Sequence, residues 1–206
     1  MRKEPYRLRF RMRFGMSRLQ LVLDAGGVIV TNMLELWKEI AGEVEIPVHE
    51  LKESFKVQLR STLWNGESDE EAFWQWLTSY YPGLTAADGR AILARHLRVL
   101  PAFHRIQSWS DAADIHVLSN HRHEWLMPLL EPIAPYLASV TISSQVGSCK
   151  PSLDIYKLVQ SGLRTQDRVL FVDDSERNLV PARELGWDTL LADEQGEWMD
   201  ALDARL

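Results

Sequence analysis

The sequence has few of the features that mark secreted or membrane-spanning proteins. Its single cysteine, Cys149, cannot form an internal disulfide, so nothing in the chain requires an oxidising compartment, and we expect a cytoplasmic protein. No apolar run approaches the roughly 18 residues that cross a bilayer, and the amino terminus lacks the continuous apolar core of a secretion signal. We therefore expect no membrane partner.

Two kinds of catalytic site also lack support. With one cysteine and no paired His/Cys spacing, the chain offers no ligand pattern for zinc. It contains no G-x-S-x-G sequence, so a serine hydrolase has no support either. What the chain does have is 206 residues with 46% hydrophobic composition, which is enough for one α/β domain with a modest insertion.

Charge is distributed unevenly along the chain. Residues 1–18 hold seven Arg or Lys and one acid, a net charge of +6, whereas the whole chain carries −6 and the remainder therefore −12. We interpret residues 1–18 as a basic N-terminal extension, whose alternating apolar and basic residues fit an added edge strand or a poorly ordered arm. Because the basic residues do not continue into the acidic body, we expect no nucleic-acid partner.

The apolar pattern predicts an α/β fold. A first strand at 19–23 is followed by amphipathic helices only, over 33–100, and after Pro101 short apolar runs alternate with helical ones, which is typical of βαβ units. We predict a Rossmann-like, doubly wound parallel sheet with a small all-helical insertion after its first strand. The predicted strands are 19–23, 115–118, 140–142, 169–172 and 189–191.

Helix signals predict the remaining elements. Ser68 and Glu71 have the spacing of a capping box for the third helix of the insertion, and Pro82 with Gly83 would end that helix. The predicted helices are 34–41, 49–63, 69–80, 85–97, 102–110, 125–131, 153–161, 178–185 and 197–205.

Polar residues follow several of the predicted strands. Asp24 comes directly after the first strand, and Asp173 with Asp174 ends the apolar run of RVLFVDDSERN. Any one of these acids alone is more often a turn or capping residue. At the carboxyl ends of neighbouring parallel strands, however, they would meet at one edge of the sheet, where such folds place their chemistry. Two strands ending in acids therefore suggest a shared metal.

Three further polar residues extend this set. Ser119 and Asn120 follow the strand IHVL, and Lys150 precedes Pro151. His121, Arg122 and His123 come next in the chain after Asn120, and we interpret them as a solvated helix start in preference to a contact with substrate.

In this order, the residues resemble those of haloacid dehalogenase (HAD)-like hydrolases with a small helical cap of the C1 type. The resemblance covers residues 19 to about 195 and is most specific in FVDDSERNLVPARELGW, at 171–187, with VLSN and the KP pair supporting it. Within the superfamily the chain is most similar to the branch of the soluble epoxide hydrolase phosphatase domain and bacterial sugar-phosphate phosphatases. The resemblance implies a HAD-like α/β core at 19–32 and 101–206 and a helical cap at 33–100.

The resemblance also implies a reaction and a cofactor. It implies hydrolysis of a small phosphorylated metabolite through an aspartyl-phosphate on Asp24, the nucleophile. Mg²⁺ would be bound by Asp24, Asp174 and the backbone carbonyl of Gly26, with waters completing the octahedron.

Four more residues receive supporting roles from the same resemblance. Ser119, by its hydroxyl, and Asn120, by its backbone N–H, would bind phosphoryl oxygens. Lys150 would act as a catalytic and phosphate-binding cation that neutralises charge shared between phosphate and Asp24. Asp173 would orient Lys150, and Asn178 would help to arrange the acidic loop.

The sequence departs from the family at one position that matters for the mechanism. Typical phosphatases of the family carry a second aspartate two residues after the nucleophile, which acts as general acid and base, and Gly26 stands there in this chain. Such assistance is worth about 10² to 10⁴ in rate, or roughly 3 to 6 kcal/mol of barrier. We therefore hypothesise a preference for acyl, aryl or anomeric phosphates, whose leaving groups need less help.

Two alternatives of other classes stay open. In a metal-free haloacid dehalogenase-like enzyme Asp24 would attack carbon, but the positions of Asp173 and Asp174 would not need acids, which argues against this reading. A catalytically impaired binding or regulatory protein could keep the phosphate pocket and lose turnover through Gly26. The sequence leaves the identity of the substrate and the oligomeric state open.

Overall fold

The computed structural model describes residues 18–164 and 167–206. Residues 1–17 of the predicted basic extension therefore lie outside the described residues. Arg18, the last residue of that extension, is attached to the body of the protein: its guanidinium donates to Asp114 Oδ1 at 3.2 Å and to the carbonyl oxygens of Ser110 and Ala113 at 2.8 and 3.0 Å.

A five-stranded parallel sheet forms the centre of the fold, with the order β3-β2-β1-β4-β5. The central strand, β1, is buried on both faces and pairs with β2 on one side and β4 on the other, which explains its continuous apolar sequence. The strands are β1 Leu19–Leu23, β2 Ala113–Ser119, β3 Leu137–Ile142, β4 Val169–Asp173 and β5 Asp188–Leu191.

The strand order reverses direction between β1 and β4. The chain runs outwards from β1 through β2 to β3, then returns to the other side of β1 for β4 and β5. Open α/β sheets bind their ligands at such a switch point, beyond the carboxyl ends of the two strands. The predicted α/β class and doubly wound parallel sheet are confirmed.

Helices account for the rest of the described elements, and six α-helices lie between β1 and β2, five of them in the insertion. Those of the insertion are α1 Leu34–Glu43, α2 Val48–Gln58, α3 Arg60–Trp64, α4 Glu70–Tyr80 and α5 Ala86–His96. Those that follow are α6 Ile106–Ala112, α7 His123–Leu130, α8 Ser143–Val146, α9 Leu153–Gln160, α10 Glu176–Glu184 and α11 Glu197–Asp203, with 3-10 turns at Pro101–Arg105 and Glu131–Tyr136. Within the described residues, no helix is long and apolar enough to cross a membrane.

Two details of the helix prediction are wrong. The helix predicted at 49–63 is two helices, α2 and α3, because Leu59 leaves helical geometry at φ −136° while its side chain stays buried. The cap of α4 is Asp69, whose side chain accepts the Ala72 N–H at 2.9 Å, and not Ser68. A true capping box begins α5 instead, where the Thr85 hydroxyl and the Asp88 carboxylate each accept the other's backbone N–H.

An aromatic cluster fills the interior of the insertion. The ring of Phe73 lies within 6.0 Å, centroid to centroid, of five other aromatic rings, and most of these pairs are tilted or edge-to-face. Its neighbours are Trp37, Phe55, Trp74, Trp76 and Trp125. Because Trp125 lies on α7, outside the insertion, the cluster is continuous with the apolar core beside the sheet.

A buried histidine makes the stability of the sheet depend on pH. His116 on β2 contacts Ser139 Oγ through Nδ1 at 2.7 Å and Gln20 Oε1 through Nε2 at 3.0 Å, and burial lowers its pKa to about 4. In the unfolded chain His116 therefore binds a proton near pH 6.5, whereas in the folded chain it does so only near pH 4. The free energy of unfolding consequently decreases as pH falls from 6.5 towards 4.

We expect His116 to reduce the free energy of unfolding by about 2 kcal/mol between pH 7 and pH 5. Urea unfolding at the two pH values measures this difference. The variant His116→Gln should lose that part of the pH dependence, and His49→Gln, at an exposed position of α2, should keep it. Equal pH dependence in the native protein and in His116→Gln would contradict the assignment.

Candidate active site

Three acids meet at the switch point of the sheet. Asp24 follows β1, Asp173 ends β4 and Asp174 comes next in the chain. The strands are in register there, since Leu23 lies beside Val172 and the Asp24 N–H donates to the Val172 carbonyl at 2.9 Å. Carboxylate oxygens of the three acids consequently lie within 4.8 Å of one another.

Lys150 lies between two of these acids. Its Nζ is 2.8 Å from Asp24 Oδ2 and 2.6 Å from Asp173 Oδ2, and the side chain is 1% exposed. Because water is excluded, the attraction is much stronger than that of a surface pair, and removing one partner would leave a buried charge unmet. Lys150 thus neutralises part of the negative charge of the cluster from one side.

The carboxylate of Asp173 is fully engaged by the protein. Besides Lys150, it accepts the Ser175 N–H at 2.9 Å and two contacts from Asn178 Nδ2 at 2.9 and 3.1 Å. Asp24 accepts one N–H, from Ala25 at 2.6 Å, in addition to its contact with Lys150. Asp24 and Asp174 are therefore the acids with oxygen atoms left for a further ligand.

Burial and mutual repulsion raise the proton affinity of the cluster. Burial raises the pKa of Asp24 to about 7, with a further increase from Asp173 and Asp174 and an opposing effect of Lys150. Burial also raises the pKa of Asp174. Burial alone would lower the pKa of Lys150, but the carboxylates of Asp24 and Asp173 outweigh it and raise the pKa, so the lysine stays charged. The cluster still has surplus negative charge.

The donor set fits a hard divalent cation. Carboxylate and carbonyl oxygens are the ligands that Mg²⁺ takes in proteins, usually with only one or two carboxylates and several waters. Asp24 and Asp174 supply two such carboxylates, and Gly26, whose carbonyl was predicted as a ligand, lines the cleft beside Asp174. The residues present therefore suit magnesium.

Gly27 is a functional residue that sequence reasoning did not single out. Its φ is +76°, and a Cβ built there would lie 2.1 Å from Asp174 Oδ2. Only glycine combines this backbone conformation with so close an approach of the carboxylate. The pair of glycines after Asp24 was the signal, although the sequence does not show which neighbour comes close.

Gly26 differs from Gly27 in its surroundings. A Cβ built on Gly26 meets no heavy atom within 4 Å, and its φ is not in the left-handed region. The position at which the resemblance leads us to expect an acid/base aspartate therefore has room for a Cβ, and no steric clash there explains the glycine.

The predicted phosphate-binding residues end the neighbouring strand. Ser119 is the last residue of β2 and is buried, and Asn120 follows it. The Asn120 amide is occupied by the backbone of Lys150: Nδ2 donates to the Lys150 carbonyl and Oδ1 accepts the Lys150 N–H, both at 2.8 Å. Asn120 thus ties the loop that carries Lys150 to the end of β2.

A cleft of about 390 Å³ opens above these residues. Its floor includes Gly26, Asn120 and Asp174, and its opposite wall comes from the insertion. The aromatic part of that wall is formed by Trp37, Phe55 and Trp64. The cleft therefore lies between the carboxyl end of the sheet, where the acids meet, and the helical insertion.

The interpretation of residues 121–123 as a solvated helix start is wrong for its first two members. His121 and Arg122 are 4% and 5% exposed. Burial lowers the pKa of His121 to about 4, so its ring is neutral at pH 7, and its buried Nε2 has no hydrogen-bond partner among the described residues. Charged side chains are rarely buried, which is why the sequence pattern predicted an exposed helix start.

Arg122 joins the loop after β2 to the insertion. Its Nη1 donates to the carbonyls of Leu63 and Ser68 at 3.1 and 2.7 Å, and Nη2 pairs with Glu124 Oε1 at 2.6 Å. The Ser68 carbonyl thus accepts a hydrogen bond from Arg122, while the next residue, Asp69, caps α4. Arg122 therefore holds the end of α3 and the start of α4 against the sheet.

We expect Arg122→Met to lower the free energy of unfolding by about 2 to 3 kcal/mol, since hydrogen bonds from a buried cation are lost. The matched control is Arg183→Met, whose exposed guanidinium pairs with Glu176 and should contribute much less to stability. Urea unfolding compares the two variants. Equal losses would contradict the role given to Arg122.

Comparison with known proteins rests on structure. No family model matches the chain, and no curated protein matches it. Among solved structures it is similar to a HAD-like family hydrolase from Porphyromonas gingivalis, itself described as predicted, at 25% identity and a TM-score of 0.72, over 92% of this chain and 98% of that one.

Two further structures are informative. A HAD-family enzyme from Bacteroides thetaiotaomicron, solved in complex with magnesium and inorganic phosphate, matches at 17% identity and a TM-score of 0.72, over 86% of this chain and 95% of that one. The L-2-haloacid dehalogenase from Xanthobacter autotrophicus matches at 16% identity and a TM-score of 0.59, over 88% and 80%.

The fold is that of the HAD-like hydrolases. The resemblance stated from the sequence is confirmed at the level of the superfamily, and the neighbours support a hydrolase. Both magnesium-and-phosphate and dehalogenase structures are among them, so the branch and the reaction stay predictions.

Proposed function

We propose that the protein is a magnesium-dependent phosphatase of a small phosphorylated metabolite, with Asp24 as the nucleophile. The observation that carries this proposal is the cluster itself: oxygens of three acids lie within 4.8 Å, and one buried lysine bridges Asp24 and Asp173. A dehalogenase would not need acids at the positions of Asp173 and Asp174, since it has no cation to hold. The neighbour solved with magnesium and phosphate supports the same choice.

In this proposal the residues of the site bind the metal, bind the phosphate or position another side chain. Asp24, Asp174 and the Gly26 carbonyl hold Mg²⁺, which when bound offsets the repulsion between phosphate and carboxylate. The Ser119 hydroxyl and the Asn120 N–H bind phosphoryl oxygens. Lys150 adds positive charge beside the reacting carboxylate, and Asp173, held by Asn178, fixes the position of Lys150.

The reaction has two steps. An oxygen of Asp24 attacks phosphorus, an Asp24–phosphate bond forms, and the bond from phosphorus to the leaving oxygen breaks. Water then attacks the acyl phosphate, releases inorganic phosphate and restores the carboxylate. No side chain at Gly26 is available to protonate the leaving group or to activate the water, so both steps depend on solvent for proton transfer.

The absence of an acid/base side chain at Gly26 determines the substrate preference that we expect. Acyl, aryl and anomeric phosphates leave with little protonation, whereas unactivated alkyl phosphates need it. Residues 33–100 would act as the cap over a catalytic core of 19–32 and 101–206, closing the cleft and excluding water during the reaction.

A panel of phosphorylated compounds tests the proposal. Acetyl phosphate, p-nitrophenyl phosphate and a set of alkyl phosphates are incubated with Mg²⁺ or with EDTA, and released phosphate is measured. We expect magnesium-dependent release that is much faster for the activated compounds. Equal rates for alkyl and activated phosphates would refute the preference, and chloride release from 2-chloropropionate without magnesium would favour the dehalogenase.

A further inference from the structure

Three cations line one wall of the cleft. Lys52 and Lys56 lie four residues apart on α2, and Arg60 follows after another four as the first residue of α3. All three are exposed and belong to the insertion, whereas Gly26 and Asp174 lie on the floor of the same cleft. We call Lys52, Lys56 and Arg60 the cationic row.

Little in the described part of the chain neutralises this row. Lys56 pairs with Glu53 at 2.8 Å, but both side chains are more than half exposed, so the pair is weak. Lys52 and Arg60 make no ion pair with any carboxylate of residues 18–164 and 167–206. The row is therefore a local excess of positive charge in a chain whose net charge is −6.

The row exceeds what one phosphate needs. In the proposed function the reacting phosphate is already met by Lys150, by the loop after β2 and by magnesium, all at the carboxyl end of the sheet. A substrate that starts at the floor extends towards the wall of the insertion. The aromatic side chains of Trp37, Phe55 and Trp64 form the apolar part of the same wall.

From this juxtaposition we propose that the cationic row is a binding subsite for a second anionic group of the substrate, either a carboxylate or another phosphate. The substrate class is then a phosphate ester with a second negative charge at its far end. This inference rests on the proposed function, since that function places the first phosphate on the floor of the cleft.

The test compares two probes that differ only in the far group. In the presence of Mg²⁺, 4-carboxybenzylphosphonate and 4-carbamoylbenzylphosphonate are titrated by calorimetry, because neither requires turnover. We expect the carboxylate to bind about tenfold tighter, with an advantage that shrinks as salt rises. Lys52→Met/Arg60→Met should reduce this ratio to about two or less.

Lys38→Met is the matched control. Lys38 lies on α1, also in the insertion, and pairs with Glu35 at 2.6 Å with similar exposure to the Lys56–Glu53 pair, but it does not line the cleft. It should keep the ratio of the native protein. Equal affinities in the native protein, failure of both probes to bind, or an unchanged ratio in the double variant would overturn the subsite.

A parallel assay separates this inference from the proposed function. Phosphate release is measured from 4-carboxyphenyl phosphate and 4-carbamoylphenyl phosphate with magnesium. If the carboxylate probe binds tighter but neither ester is hydrolysed, the subsite stands and the phosphatase fails. If both esters are hydrolysed with equal kcat/KM and the probes bind equally, the phosphatase stands and the subsite fails.

Discussion

Asp24→Asn is expected to lower the rate of phosphate release from acetyl phosphate by at least about 10³-fold, because the amide cannot form the acyl phosphate. The same substitution should raise the free energy of unfolding, relative to that of the native protein, at high pH. The folded protein holds the Asp24 proton up to about pH 7, whereas the unfolded chain loses it near 3.8, so this group makes stability fall as pH rises between those values.

With EDTA present, Asp24→Asn should therefore gain about 2 to 3 kcal/mol relative to the native protein when pH is raised from 5 to 8. Urea unfolding at the two pH values measures this difference. Asp154→Asn is the control, since Asp154 lies in the first turn of α9, away from the cluster. Loss of activity without the shift in pH dependence would contradict the electrostatic account of Asp24.

Gly26→Asp is expected to raise the rate for unactivated alkyl phosphates by about 10² to 10⁴, since it supplies the missing general acid and base. The structure has room for the side chain, because a Cβ at Gly26 meets nothing within 4 Å. For p-nitrophenyl phosphate, whose leaving group needs no proton, the gain in kcat/KM, which reports the first step, should stay below about tenfold. Its kcat should rise more, because the added carboxylate activates water for hydrolysis of the intermediate.

Two controls accompany this variant. Gly26→Asn has a similar shape without a titratable group and should give no gain. Gly27→Ala should lower activity, because its Cβ would collide with Asp174. If Gly26→Asp raises kcat/KM for alkyl and aryl phosphates equally, or not at all, the absent acid/base is not what limits the first step.

The position of the acids could be predicted from the sequence because it depends on a local rule. Each acid directly follows an apolar run, and the carboxyl ends of parallel strands share one edge, so Asp24 and Asp174 come close because β1 and β4 are parallel neighbours. Lys150 was harder to predict, since its place depends on contacts of its backbone with Asn120, 30 residues away.

Other features depend on packing that a linear pattern does not show. Arg122 is buried because carbonyls of Leu63 and Ser68 accept its protons, and those residues are more than fifty positions away. The spacing of Lys52, Lys56 and Arg60 is visible in the sequence, but only the structure shows that they line the same cleft as Asp174.

The most direct test is to look for phosphate on Asp24. Because no acid/base residue activates water at Gly26, hydrolysis of the intermediate should be slow and the phosphorylated enzyme should accumulate. The protein is mixed with acetyl phosphate and Mg²⁺, quenched with acid and analysed by peptide mass spectrometry. We predict a phosphoryl group on Asp24 that disappears with EDTA and in Asp24→Asn; phosphate release at full rate with Asp24 unmodified, or undiminished in Asp24→Asn, would contradict the account.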